Sequence, residues 1–445
     1  MLGLTALALV LAAAVGPGVA PIAAAPEVIA APAGLSSHGP FGGPVLDTSV
    51  AASVRPEQLL RGVGDLAPSD LRRFVAENPS AIRELIAEPP ASQEVASWWA
   101  GLSSRDREEL ARDAPELIGN LDGVPYDVRD RANRAHLGDV EDGLREQLTS
   151  GVGKGAAGAI VERLRMLEKI DASLETTDGG PARSLIMLDT VMPGRAAVAL
   201  GDLETADYVS FLVPGALLSV REHMTEWTKV TADIYDEQLA WGERFGDDST
   251  VATVSWIGYR TPDVTNVAGL ELAEEGASFM SGTVNGLKTL RKADEPYISV
   301  FAHSYGATAV MLALDRGDMS VDALAMIGSP GGVADSADEL AVPEGRVWVG
   351  EAAWDPVVDT AFFGVDPGSP EFGAKPMSVS GSVDPMTGAL LTASVGHDWY
   401  LEPGTESLRN LSLIGIDRGD WVTDGSSGDS QKTLALGADA DTATR

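Results

Sequence analysis

Two spacings of apolar residues divide the chain. From Pro56 to about Met166 they return every three or four positions, as at Leu59, Leu60, Val63 and Leu66 and again at Leu71, Phe74 and Val75. That spacing lays one apolar stripe along each of a run of helices. Asn78-Pro79-Ser80 and Glu88-Pro89-Pro90 punctuate the run, because proline opens a helix well and ends the one before it. Trp98, Trp99 and Leu102 read as core residues where helices cross, and Asn120–Pro125 as a loop ahead of a charged helix over Tyr126–Leu137. The stretch Gly151–Gly158 lacks the Gly-Lys-Ser/Thr ending of a phosphate-binding loop and reads as a flexible joint.

Beyond the joint the spacing changes. Ser184–Leu188, Ala196–Leu200 and Tyr208–Val213 are short β-prone runs between turns. Strands then alternate with helices: helix Leu217–Trp241, strand Val251–Tyr259, helix Val267–Leu290, strand Tyr297–Phe301 and helix Ala307–Leu314. Strands Ala323–Ile327, Arg346–Val349 and Met377–Ser380 follow. This alternation predicts an α/β architecture, a mostly parallel sheet with helices on both faces, preceded by an all-helical region. Function in such sheets gathers at the carboxyl ends of the strands. The expected organisation is an apolar leader over 1–25, an Ala/Pro/Gly linker over 26–54, a helical region over 55–170, an α/β domain over 171–417 and a disordered acidic tail over 418–445.

One strand-to-helix junction carries chemistry. In Tyr297–Val310 (YISVFAHSYGATAV) an apolar run stops at Ala302-His303-Ser304-Tyr305-Gly306 and a helix begins. Small residues two before and two after a serine are what a nucleophile elbow requires, since larger ones would strike the neighbouring strand and helix. A serine hydroxyl is a weak nucleophile and needs a base, which needs an orienting acid. His397 is the one histidine downstream of Ser304 and is the candidate base. His303 is expected to diverge from its neighbour and to pack beside the site. Asp355, in the Asp-Pro turn after Arg346–Ala353, is the candidate acid, with Asp359 its competitor. The oxyanion would be met by the backbone N–H of Tyr305 and by Gly215 or Ala216 in the Pro214–Ala216 turn. Ser329, His303 and Asp359 are candidate rim residues. Phe362, Phe363, Val365 and Phe372 form an aromatic, Pro/Gly-broken segment that either covers the site or packs on the core.

Charge narrows the partners. Asp+Glu number 66 against 32 Lys+Arg, a formal net charge of -34, which disfavours nucleic acid and anionic membrane surfaces. With no cysteine and no two histidines at a metal-ligand spacing, neither a thiolate nor a metal or other cofactor is called for. The run Leu2–Val15 has the length of a signal-peptide core, and Ala23-Ala24-Ala25 would suit cleavage, yet no basic residue precedes Arg55. The expectation is a secreted or N-terminally membrane-tethered protein, with a cytoplasmic one as the alternative.

Several segments in one order resemble an actinobacterial family of α/β-hydrolases catalogued as a domain of unknown function. They are Ala197–Asp207 (AVALGDLETAD), Val209–Gly215, Ser255–Tyr259 (SWIGY), Ala302–Gly306, Gly328–Gly331, Asp355-Pro356-Val357 and His397–Tyr400, with Gly119–Leu137 upstream. The resemblance implies the α/β-hydrolase fold and a serine-hydrolase site at Ser304, Asp355 and His397. Ala302 departs from the glycine usual there. The reading that follows is a hydrolase of a small ester or lipid-like substrate. A non-catalytic binding module of the cell envelope, or an amidase or peptidase on the same triad, stays open.

Overall fold

The computed structural model describes residues 55–176, 179–358 and 360–425; the leader, the linker, Asp359 and the chain after Gly425 lie outside the described residues. The helical region opens with α1 (Pro56–Gly64), α2 (Pro68–Glu77) and α3 (Pro79–Ala87), each started by a proline. There the missing N–H has no intrahelical partner to lose. Then come α4 (Ser92–Gly101), α5 (Ser104–Asp113) and the single turn α6 (Pro115–Ile118). Their apolar stripes, with Leu60, Val63, Val95 and Trp99 among them, close on one another as a separate small core. Two long helices follow, α7 (Tyr126–Ser150) and α8 (Lys154–Ser173). The joint between them is shorter than Gly151–Gly158, because Gly155 and Gly158 are already helical.

The sheet comprises β1 (Arg183–Asp189), β2 (Arg195–Leu200), β3 (Tyr208–Val213), β4 (Val251–Ile257), β5 (Tyr297–His303), β6 (Ala323–Ile327), β7 (Val347–Gly350) and β8 (Lys375–Pro376). Its order is β1-β2-β4-β3-β5-β6-β7-β8. The β1–β2 and β2–β4 pairs are antiparallel and all others parallel. Alternation along β5 splits its side chains between two cores. Ile298, Val300 and Ala302 pack with α10 (Glu271–Leu290) and α11 (Tyr305–Asp315). Phe301 packs on the other side with α8, α9 (Val220–Phe245) and α12 (Glu406–Gly415). The central strands are thus covered on both faces, and β5, flanked by β3 and β6, lies mid-sheet.

The two halves are bound by side chains of the loop before α7 and of α7 itself. Asn120 bonds both backbone groups of Leu188, Asn133 donates to Leu185 O at 2.9 Å, and Asp130 accepts Leu185 N–H at 2.6 Å. Buried Arg129 pairs with Asp122 at 2.7 Å and donates to Ile186 O. Polar side chains thereby satisfy the outer edge of β1, which would otherwise offer unpaired backbone to another chain.

Two expectations need correction. The last strand is Lys375–Pro376, not Met377–Ser380, because Ser378 N–H turns away to Thr423 O and Val379 O accepts from Ser394. Those bonds also hold residues 418–425 against the sheet, with Arg418 on Asp247 at 2.9 Å. The packed chain therefore runs past Arg418, where the tail was expected to start.

Candidate active site

Strand ends assemble the site. β5 runs straight into α11 through Ser304, whose backbone sits at φ 55, ψ -130. For a non-glycine residue this costs on the order of 1–3 kcal/mol. The strain is held by Ser304 N–H donating to Ile327 O at 3.0 Å and by burial of the turn. Gly306 shows why the elbow needs small residues, since a Cβ there would lie 2.5 Å from Pro214 O. Ala302, the departure from the usual glycine, is fully buried in register with Val213 and Met326, and its methyl is accommodated.

His397 Nε2 lies 2.8 Å from Ser304 Oγ. Its Nδ1–H donates to Asp355, 2.9 and 3.0 Å from the two carboxylate oxygens. Nε2 is therefore the acceptor, ready for the serine proton. Asp355 also accepts Val357 N–H at 2.9 Å and the Tyr400 hydroxyl at 2.7 Å. Burial alone would raise its carboxyl, but the bonds from His397, Tyr400 and Val357 together hold it below the usual range. Tyr400 in turn accepts Ala352 N–H at 2.8 Å, so the phenol ties the acid to the end of β7.

His303 packs against His397 with ring centroids 4.7 Å apart and the planes tilted by 40°, and donates Nε2–H to His397 O at 2.8 Å. Burial, and then the neighbouring imidazole, push its own pKa down to about 3. It stays neutral and steadies the loop that carries His397. Ser329 Oγ accepts Gly331 N–H at 3.2 Å and closes the turn after β6. Asp359 lies outside the described residues.

The second side of the site is a pair of stacked tyrosines. Tyr305 is the first residue of α11, so its N–H has no intrahelical acceptor. Gly215 passes so close that a Cβ on it would be 2.4 Å from Ser304 Cβ, which brings the Pro214–Ala216 turn against Ser304. Tyr259 lies parallel to Tyr305 (6.4 Å, 9°) and donates its hydroxyl to Pro214 O at 2.7 Å. The Tyr305 hydroxyl is itself bonded to Gly269 O at 2.6 Å and accepts Ala273 N–H. One stack thus fixes the positions of both backbone segments. Neither Tyr259 nor Tyr400 is recognisable in the sequence as part of the site, since a phenol in a strand end or loop carries no local signal of its partner. Phe363 packs edge-on against Tyr305 and Phe372 is buried, so the aromatic segment packs on the core. A cleft of about 510 Å3 lined by Arg83, Glu116, Asp189, Arg195, Arg260 and Glu275 contains none of these site residues.

A model of a family described as alpha/beta hydrolase matches residues 189–365, which include Ser304 and Asp355. An uncharacterized protein of Mycobacterium tuberculosis (strain H37Rv) is 28% identical over 388 residues, covering 77% of this chain and 59% of its own length. An uncharacterized protein of Mycobacterium bovis is 29% identical over 214 residues, 47% of this chain and 77% of that one. The chain therefore spans about three-fifths of the length of the first of these relatives (59%). Among solved structures, carboxyl esterase 2 of Tuber melanosporum aligns at 12% identity and a TM-score of 0.33, over 56% of this chain and 89% of that one. An esterase of Pyrobaculum calidifontis aligns at 15% and 0.30, over 62% and 97%. Likeness this distant says nothing of substrate. Strand order and direction, with a buried serine on the turn after the fifth strand, make the described chain an α/β-hydrolase in fold.

Proposed function

We propose that the chain is a serine hydrolase of carboxylic esters, acting through an acyl-enzyme on Ser304. The observation that carries this is the unbroken hydrogen-bonded chain from Asp355 through His397 to Ser304 on a strained turn. Ser304 Oγ attacks the ester carbonyl while His397 Nε2 takes its proton. His397 then gives that proton to the leaving alkoxide. Water, deprotonated by the same nitrogen, attacks the acyl carbonyl, and the acid leaves as Ser304 is restored. Asp355 holds the imidazole in its Nδ1–H tautomer throughout. The N–H of Tyr305 and that of Gly215 or Ala216 receive the oxyanion, each contributing on the order of 10²–10³ in rate. The cycle uses only these groups and water. The two mycobacterial relatives support placing the chain in the actinobacterial group that its motifs resemble.

The test is kcat/KM on p-nitrophenyl esters of rising chain length beside the matching anilides, for wild type and Ser304→Ala. Ester turnover lost in the variant is the expected result. Faster anilide turnover would make the enzyme an amidase, and turnover of neither by folded protein would remove the hydrolase reading.

A further inference from the structure

Among the described residues, six of the thirteen exposed large apolar ones fall between 354 and 399: Trp354, Val383, Met386, Leu390, Val395 and Trp399. They surround the loops that carry the acid and the base. Trp354 directly precedes Asp355 and Trp399 follows His397 by two residues. Ala353 and Val395 form a bridge, and Gly396 N–H donates to Ala353 O at 2.8 Å. From Val395 the chain leads back along a hairpin whose outer end pairs Val383 with Leu390. At about 3.3 Å per residue, this carries the apolar surface up to roughly 17 Å from the His397 loop.

These side chains are not outside for want of order. Trp354 is 84% exposed although its backbone is held at φ 64, so the indole gains no packing to offset the strain. The hairpin is pinned at its base, where buried Glu406 accepts from Ser378 Oγ, Gly381 N–H and Ser382 Oγ at 2.6–2.9 Å. At its tip, Asp384 accepts the N–H groups of Met386 and Thr387 and pairs with buried Arg409 at 2.7 Å. That pairing turns the Asp384 carboxylate inward, while Asp398, exposed between His397 and Trp399, stays at the rim. From Pro385 to His397 there is no Asp, Glu, Lys or Arg, in a chain of net charge -34. A rigid, tryptophan-bearing face that is free of charge from Pro385 to His397 and edged by Asp398, on a polyanion, matches a surface that is apolar and without negative charge.

We infer that this face docks on a neutral lipid–water interface and delivers an ester from it to Ser304, an inference that rests on the hydrolase reading above. The anionic body keeps the protein off acidic lipid, while indoles and aliphatic side chains enter the headgroup layer of an uncharged one.

The test sediments the full chain with phosphatidylcholine vesicles, with phosphatidylglycerol vesicles and alone, and compares wild type, Val383→Ser/Leu390→Ser and Ser304→Ala. Wild type and Ser304→Ala should partition onto phosphatidylcholine and less onto phosphatidylglycerol. The double variant should partition about tenfold more weakly or worse. Its turnover of an emulsified long-chain ester should fall in parallel, with a soluble acetyl ester unchanged within about twofold. No partition by wild type, equal partition by the double variant, or preference for the anionic vesicle would overturn the inference. So would a dimer in sedimentation velocity that the double variant abolishes, which would assign the face to a second copy. Turnover of soluble ester without partition removes the docking face and leaves the hydrolase reading standing. Partition with no turnover of any ester removes the hydrolase reading instead.

Discussion

At the outer edge of β1 and at the end of β5, buried polar side chains are used in opposite ways. Asn120, Arg129, Asp130 and Asn133 each direct a bond to the main chain of β1. Asp355, His397 and Ser304 spend theirs chiefly on one another, in a line that ends on a hydroxyl. The first set removes a sheet edge and joins two layers. The second leaves a ring nitrogen aimed as acceptor at one hydroxyl, on a backbone held in strain, beside an amide without a helical partner. Burial and hydrogen bonding alone do not separate structure from chemistry; the direction in which the bonds run does.

The comparison predicts opposite phenotypes. Ser304→Ala should lower kcat/KM by about 10⁴ or more, with a urea midpoint close to wild type. Arg129→Met should do the reverse. Leaving Asp122 buried without its cation should cost about 3–5 kcal/mol of stability, read from urea unfolding, with kcat of the folded fraction unchanged. Activity loss without destabilisation in Arg129→Met would break the division.

A smaller effect sharpens it. Tyr400→Phe removes one hydrogen bond to the Asp355 carboxylate, worth about 1.5–3 kcal/mol, and should lower kcat with little change in KM. A rise in KM alone would mean that Tyr400 shapes binding and does not hold the acid.

A separate effect, on stability and not on catalysis, appears in acid. Burial lowers His136 to about 4, and burial with His397 beside it lowers His303 to about 3. Unfolded, both titrate near about 6.5. Below that pH the unfolded chain takes up protons that the folded chain refuses, so stability is full above about 6.5 and falls as pH drops from there to about 4 for His136 and about 3 for His303. Each group contributes a slope of up to about 1.4 kcal/mol per pH unit. Urea midpoints at pH 7 and 5 check this, and His136→Gln should flatten the difference.

Much of the sheet was legible from local pattern. Tyr208–Val213 and Ala323–Ile327 have the same bounds in sequence and structure, because both are continuous apolar runs between turn residues. The helix expected from Leu217 begins at Val220, where Ser219 caps it by accepting Glu222 N–H. Ser304, His397 and Asp355 come together as their order along the chain suggested, since each stands at or beyond a strand end. Illegible were the parts built by long-range side chains. Residues 377–399 follow no period, being shaped by Glu406, Arg409 and isolated bridges. Tyr259 reaches Pro214 across 45 positions and Tyr400 reaches Asp355 across 45, distances at which spacing carries no signal.

The most direct measurement is reaction of the folded protein with a fluorophosphonate, followed by mass mapping, for wild type, Ser304→Ala and His397→Ala. The account predicts one adduct, on Ser304, absent from both variants. Unlabelled folded wild type, or an adduct on another serine, would contradict it.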